Sequence, residues 1–120
     1  MTAARYDLII DQGSDFALEL TVKEAGTPKN LTDWLGRAQL RSTKEATTAA
    51  ETFSVSRVAP YDTSGKVKLS LSYAQSAAMT AGTYYYDLEL YEPSDPPGGA
   101  DIQVLRIISG TASIRREVTR

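Results

Sequence analysis

Alternation with a period of two residues runs through most of this 120-residue chain. Phe16, Leu18, Leu20 and Val22 alternate with Ala17, Glu19, Thr21 and Lys23. Val67, Leu69 and Leu71 alternate with Lys66, Lys68 and Ser70, and Tyr84, Tyr86, Leu88 and Leu90 with Tyr85, Asp87, Glu89 and Tyr91. Strand side chains point to opposite faces in turn, so each stretch reads as a strand with one face in a core. Ala38 and Leu40, between Arg37, Gln39 and Arg41, mark another strand. Phe53 and Val55 mark a fifth, in a Ser/Thr-rich stretch that favours extended backbone. Turn chemistry separates them: Gln12-Gly13-Ser14, Ala25-Gly26-Thr27-Pro28 and Asp62-Thr63-Ser64-Gly65.

The last strand is predicted from Ile102 to about Val118, with Gly110 inside it. A glycine within a strand pattern marks a bulge or a close backbone approach, and here a bend where the strand changes partner or sheet. One helical turn is expected at Ser72-Tyr73-Ala74-Gln75, which has capping-box spacing; Ala77 and Ala78 extend it and Ala81-Gly82 ends it. Too short to stand alone, it should lie over one end of the sheets. Ser42 to Ala50 lacks a large apolar anchor, and Pro93 to Ala100 suits a hairpin tip; both are expected to be mobile.

Short strands at regular spacing with no long helix predict a single all-β domain over residues 1–120. The expected architecture is an immunoglobulin-like antiparallel β-sandwich with one short helical turn. The chain has no Cys, so its core must rest on packing. Phe16, Leu18, Trp34, Leu40, Leu69, Tyr84, Tyr86, Leu88 and Ile107 are the expected core, each side chain contributing about 1.5–3 kcal/mol when fully buried.

The absences matter for function. Without Cys or His there is no thiolate nucleophile, no Cys or His metal ligand and no Ser-His-Asp triad. A formal charge of -2 and a pI near 5.1 argue against a nucleic-acid surface, which needs an excess of Lys and Arg. Leu8-Ile9-Ile10, between Asp7 and Asp11, is too short for a signal peptide or a membrane span, so synthesis in a cytoplasm and no membrane insertion are expected. Asn30-Leu31-Thr32 fits a glycosylation acceptor but reads as a turn in that setting.

Three stretches carry a family resemblance. The first is Asp11-Gln12-Gly13-Ser14-Asp15-Phe16 with its alternation, then Gly26-Thr27-Pro28, Leu31-Thr32-Asp33-Trp34 and Arg37-Ala38-Gln39-Leu40-Arg41. The second is Leu69-Ser70-Leu71-Ser72, Gln75, Ala77-Ala78-Met79 and Ala81-Gly82-Thr83-Tyr84-Tyr85-Tyr86-Asp87-Leu88-Glu89-Leu90; the third is Arg106-Ile107-Ile108-Ser109-Gly110 into Val118-Thr119-Arg120. In this order they resemble small structural proteins of tailed-bacteriophage tails and baseplates, and are similar to the immunoglobulin-like N-terminal domain of phage baseplate upper proteins. The resemblance implies a non-enzymatic virion protein without cofactor or metal, made in the bacterial host. It also implies an adaptor that docks other tail, baseplate or fibre subunits, homo-oligomeric in the particle. Unlike a full baseplate upper protein, the chain has no coiled coil or fibre after Arg120. Head-to-tail, neck or capsid-decoration roles are alternatives, as is a receptor- or glycan-binding module with Tyr85, Tyr91 and Trp34 as its platform.

Among sharper chemical readings, Asp7, Asp11 and Asp15 are spaced too widely for a calcium loop and read as solvated turn carboxylates. Asp87 and Glu89 share a face like the paired acids of a glycosidase, but a small sandwich offers no deep cleft, so they read as a solvated strand face. The expected contact residues are Tyr6, Tyr85, Tyr91, Pro96, Pro97, Arg115, Arg116 and Arg120. Exposed tyrosines bring contact area at low entropic cost, and arginine binds carboxylates across interfaces. The N-terminal segment to Asp7, the Pro93 to Ala100 loop and the Arg115 to Arg120 end are the expected docking segments.

Overall fold

A computed structural model describes residues 4–94 and 98–118. The chain forms β1 (Ala4–Arg5), β2 (Leu8–Asp11), β3 (Phe16–Thr21), β4 (Lys23–Glu24), β5 (Thr27–Pro28) and β6 (Leu35–Arg41). It continues through β7 (Glu51–Thr52), β8 (Ser54–Arg57), β9 (Lys66–Leu71), α1 (Tyr73–Ala78), β10 (Gly82–Glu92) and β11 (Gln103–Arg115). The larger sheet runs β1-β11-β10-β6-β7, with β2 also on β11; the smaller runs β3-β9-β8. The two sheets pack as an all-β sandwich with one short helix. Ala38, Leu40, Tyr86, Leu88, Leu90 and Ala112 of the larger sheet share one core with Val67, Leu69 and Leu71 of the smaller.

β6, β9 and β10 bury alternating residues as the sequence pattern assigns them, and β3 turns its own apolar set inward only as far as half-burial. The chain crosses between sheets at Phe53, between β7 and β8: its N–H donates to the Ala38 carbonyl at 3.0 Å and its ring is buried. β4 and β5 form a hairpin whose central residues, Ala25 and Gly26, both have positive φ (50° and 82°). That backbone matches the twist of a tight hairpin and explains the glycine. The Asn30 side chain accepts from the Thr32 N–H at 2.9 Å, so this segment is a turn as read.

Three expectations need correction. The sheet is mixed, because β1 and β2 pair parallel with β11 while the other pairings are antiparallel. Hairpin links force antiparallel neighbours, but β2 turns away into the smaller sheet and meets β11 only at the far end of the chain. Phe16, Leu18 and Tyr84 are half-buried rather than central. For the first two the reason is position: β3 pairs only with β9 and forms an edge. β11 also carries a bulge at Ile107, where the register slips from Leu88↔Ile108 to Glu89↔Arg106, separate from Gly110. Finally, Trp34 is 8% exposed and lies in the core, as its core assignment expects, beneath the Lys29 ammonium, so the alternative that makes it part of a surface platform falls.

Gly110 does mark a change of partner. On the outer edge of β11, β1 pairs with Ile108 and Ser109, and β2 takes over from Ala112 to Arg115. Between them the chain bends at Tyr6-Asp7, and a Cβ on Gly110 would sit 2.5 Å from the Tyr6 carbonyl oxygen. Only glycine leaves room for that crossing.

Candidate binding face

The register of β6, β10 and β11 builds one outward face from four rows of side chains. Leu35, Tyr91 and Val104 form the first row; Arg37, Glu89 and Arg106 the second. Gln39, Asp87 and Ser109 form the third, and Arg41, Tyr85 and Thr111 the fourth. Alternation alone assigned the β10 residues to this side. The partners on β6 depend on pairing across about 50 residues of chain, and those on β11 on a hairpin register shifted by its bulge, neither of which a local pattern reveals.

Charges on the face are interleaved. Arg106 Nε lies 3.1 Å from Asp87 and its Nη2 3.7 Å from Glu89; Arg37 Nε lies 3.0 Å from Glu89 and its Nη1 3.3 Å from Asp101. The hydrogen bond that Arg37 donates to Glu89 raises the Arg37 pKa and keeps it cationic. Asp87 and Glu89 are therefore occupied by arginines, which fits the solvated-face reading rather than an acid pair poised for catalysis. Arg37 also lies 4.5 Å from the Tyr91 ring centroid, and Lys44, from the β6–β7 loop, 5.5 Å from that of Tyr85. Arg41 donates to the Ala46 carbonyl and the Gln39 side chain. Among the described residues neither Arg41 nor Lys44 has a carboxylate within ion-pair distance.

Two shallow concavities flank Tyr85. One, of about 280 Å³, lies on the β6 side and includes Gln39, Arg41, Thr52 and Asp87. The other, of about 400 Å³, lies on the β11 side and includes Arg5, Arg106, Ser109 and Thr111. Tyr85, Asp87 and Lys44 line both. At the opposite end the face is apolar: Leu35, Val104 and Ile102 are exposed at the root of the β10–β11 hairpin.

The other predicted contact residues are scattered. Tyr6 is 51% exposed on the β1–β2 edge, beside Ile9 at 61%. Arg115 is engaged within the chain: it donates to Asp11 at 2.9 Å, and that bond raises its pKa. Arg116 is exposed just beyond β11. Pro96, Pro97 and Arg120 lie outside the described residues, as does the start of the N-terminal segment. The three spaced aspartates serve separate jobs. Asp7 accepts from the Thr111 N–H at 3.0 Å, Asp11 holds Arg115, and Asp15 accepts from the Tyr73 N–H at the start of α1 at 2.7 Å. The Thr111 backbone bond is the main reason the Asp7 carboxyl is held below its usual range. Sequence reasoning missed Arg41 and Lys44; only the fold brings them to Tyr85.

No known family's sequence pattern matches the chain, and no curated protein sequence matches it. Solved structures do. The N-terminal domain of phage TP901-1 ORF48 overlays with a TM-score of 0.56 at 16% identity, covering 96% of this chain and 99% of that one. The extracellular domain of the voltage-gated sodium channel beta4 subunit overlays at a TM-score of 0.41 and 8% identity, covering 98% and 97%. The first likeness is one of fold.

Proposed function

We propose that this chain is a non-enzymatic structural protein of a tailed-bacteriophage virion: an immunoglobulin-like adaptor of the tail or baseplate, present in several symmetric copies. The observation that carries this reading is the end-to-end overlay on the N-terminal domain of a phage protein, which leaves almost nothing of either chain unmatched. The family resemblance of the sequence points the same way. Docking in this reading is by surface complementarity. The exposed Tyr6 and Ile9 lie on the open β1–β2 edge, where a neighbour can add a strand. Leu35, Ile102 and Val104 offer a second apolar contact beside the Pro93 to Ala100 loop, and Arg116 a charged one.

Co-expression of the chain with the structural proteins encoded beside it tests the proposal. It should co-purify with one of them in several copies, as read by native mass spectrometry. Ile9→Asp or Val104→Asp, both at exposed sites, should abolish that complex and leave the circular dichroism unchanged. A chain that stays monomeric beside every neighbour overturns the adaptor reading.

A further inference from the structure

We infer that the paired concavities around Tyr85 form a binding site for an anionic saccharide, a sugar carrying a carboxylate or a phosphate. The inference does not depend on the adaptor reading. The Tyr85 side chain stands between two shallow recesses of about 280 and 400 Å³ and lines both, each near the lower end of the size of small-ligand sites. Tyrosine combines an apolar ring face with a polar tip, so it can support the carbon-bound face of a pyranose and still meet its hydroxyls. The remaining lining is rich in hydrogen-bonding groups: Gln39, held by Arg41, and Thr52 on one side, Ser109 and Thr111 on the other. Such a lining suits a hydroxyl-rich ring better than an apolar peptide side chain.

Charge selects among sugars. The chain carries a formal charge of -2, yet Arg41 and Lys44, which have no carboxylate within ion-pair distance among the described residues, meet in this groove beside Tyr85. The neighbouring Asp87 and Glu89 are held by Arg106 and Arg37 and do not neutralise them. Arg41 is already fixed by the Ala46 carbonyl and Gln39, so its position is set before a ligand arrives. Lys44 comes from an exposed loop and stands over the ring, where it can swing onto an incoming acid group. A ring on Tyr85 with its acid group toward Arg41 and Lys44 satisfies both features at once.

The test is a titration of the isotope-labelled full chain, followed by amide chemical shifts, with a galacturonic acid oligomer, glucose 1-phosphate, neutral galactose oligomers and a polyglutamate peptide. A charged sugar should move the amides of Gln39, Tyr85 and Thr111 and bind with a dissociation constant of about 1 mM or better. The neutral oligomer should bind at least about tenfold more weakly. The galacturonate and phosphate arms tell which acid is preferred, and binding of either supports the proposal. Tyr85→Ala should abolish binding, whereas Arg41→Gln with Lys44→Gln should reduce charged-sugar affinity to that of the neutral oligomer. No shifts at these amides with either charged sugar overturns the inference. So does equal binding of neutral and charged sugars, or tighter binding of polyglutamate, which makes the groove a protein contact instead.

Discussion

At the scale of single residues, the corner where the N-terminus crosses β11 is the most tightly specified part of the molecule. The Tyr86 hydroxyl reaches from β10 across to donate to the Tyr6 carbonyl, and Gly110 leaves the space for it. Burial, with the nearby Asp7 charge, pushes the Tyr86 phenol up to about 12. The folded protein thus favours the neutral phenol more than the unfolded chain does. That stabilisation is fully present below the ordinary tyrosine value of about 10 and is lost as pH rises through the folded value. Urea stability of the native chain should accordingly fall between about pH 10 and 12 more steeply than that of Tyr86→Phe. At neutral pH the variant should be about 1 kcal/mol less stable, having lost one hydrogen bond. Asp7 works in the opposite direction: its lowered pKa adds stability above the carboxylate range, and that contribution disappears as pH falls through it. Gly110→Ala should cost about 1–3 kcal/mol by urea titration, because the new methyl meets backbone atoms that cannot rotate away.

At the scale of elements, α1 shows where a sequence is legible and where it is not. Its capping box is local: the Ser72 hydroxyl accepts from the Gln75 N–H and the Gln75 side chain accepts from the Ser72 N–H, as the four-residue pattern predicts. What makes so short a helix persist is not local. Ser76, fully buried, accepts from the Gly13 N–H at 3.1 Å and donates to the Ser14 carbonyl at 2.8 Å, fastening the helix to the β2–β3 turn. Nothing around Ser76 in the sequence distinguishes it from the exposed serines nearby. Ser76→Ala should cost about 1–3 kcal/mol, since it removes a fully buried hydroxyl together with the two part-buried bonds it makes to the turn. Ser72→Ala should cost nearer 1 kcal/mol, the loss of a cap at an accessible end. Paired urea titrations should reproduce that order; the reverse would mean that the helix is held by its cap. The same division runs through the sheets. Period-two alternation assigns the faces of β3, β9 and β10, because burial on one side is written into neighbouring residues. Partner choice, the parallel pairing of β2 and the bulge at Ile107 are set by contacts distant in the chain. The Tyr85 groove is legible only in its tyrosine for that reason, since Arg41 and Lys44 join it through β6.

At the scale of the whole molecule, the fold is closed by its two ends: β2 contributes Leu8 and Ile10 to the core while pairing with Ala112 to Arg115. Contacts of such long sequence separation form late, because the connecting loop must be closed before they contribute, so folding on the millisecond-to-second scale is expected. The two N-terminal strands differ in what they give. β1 has exposed side chains and its salt bridge, Arg5 with Asp7, is a surface one. Among the described residues, deletion of 1–5 therefore removes little beyond the two ladder positions of Ala4 and Arg5, a loss of about 1–2 kcal/mol. Deleting residues 1–11 also removes Tyr6, which anchors the corner, and two fully packed aliphatic side chains worth about 1.5–3 kcal/mol each. Against a typical domain stability of about 5–15 kcal/mol, that is a large share, and it opens the inner face of β11 to water. The chain's single tryptophan, Trp34, is buried in the common core and so reports the outcome. Its fluorescence should show a sharp urea transition for the shorter deletion and a broad or absent one for the longer. A sharp transition for both would mean that the sandwich closes without β2. The same pair of deletions bears on assembly, because the shorter leaves the Ile9 edge in place and the longer removes it. A neighbour that adds its strand at β2 should still bind the chain lacking residues 1–5.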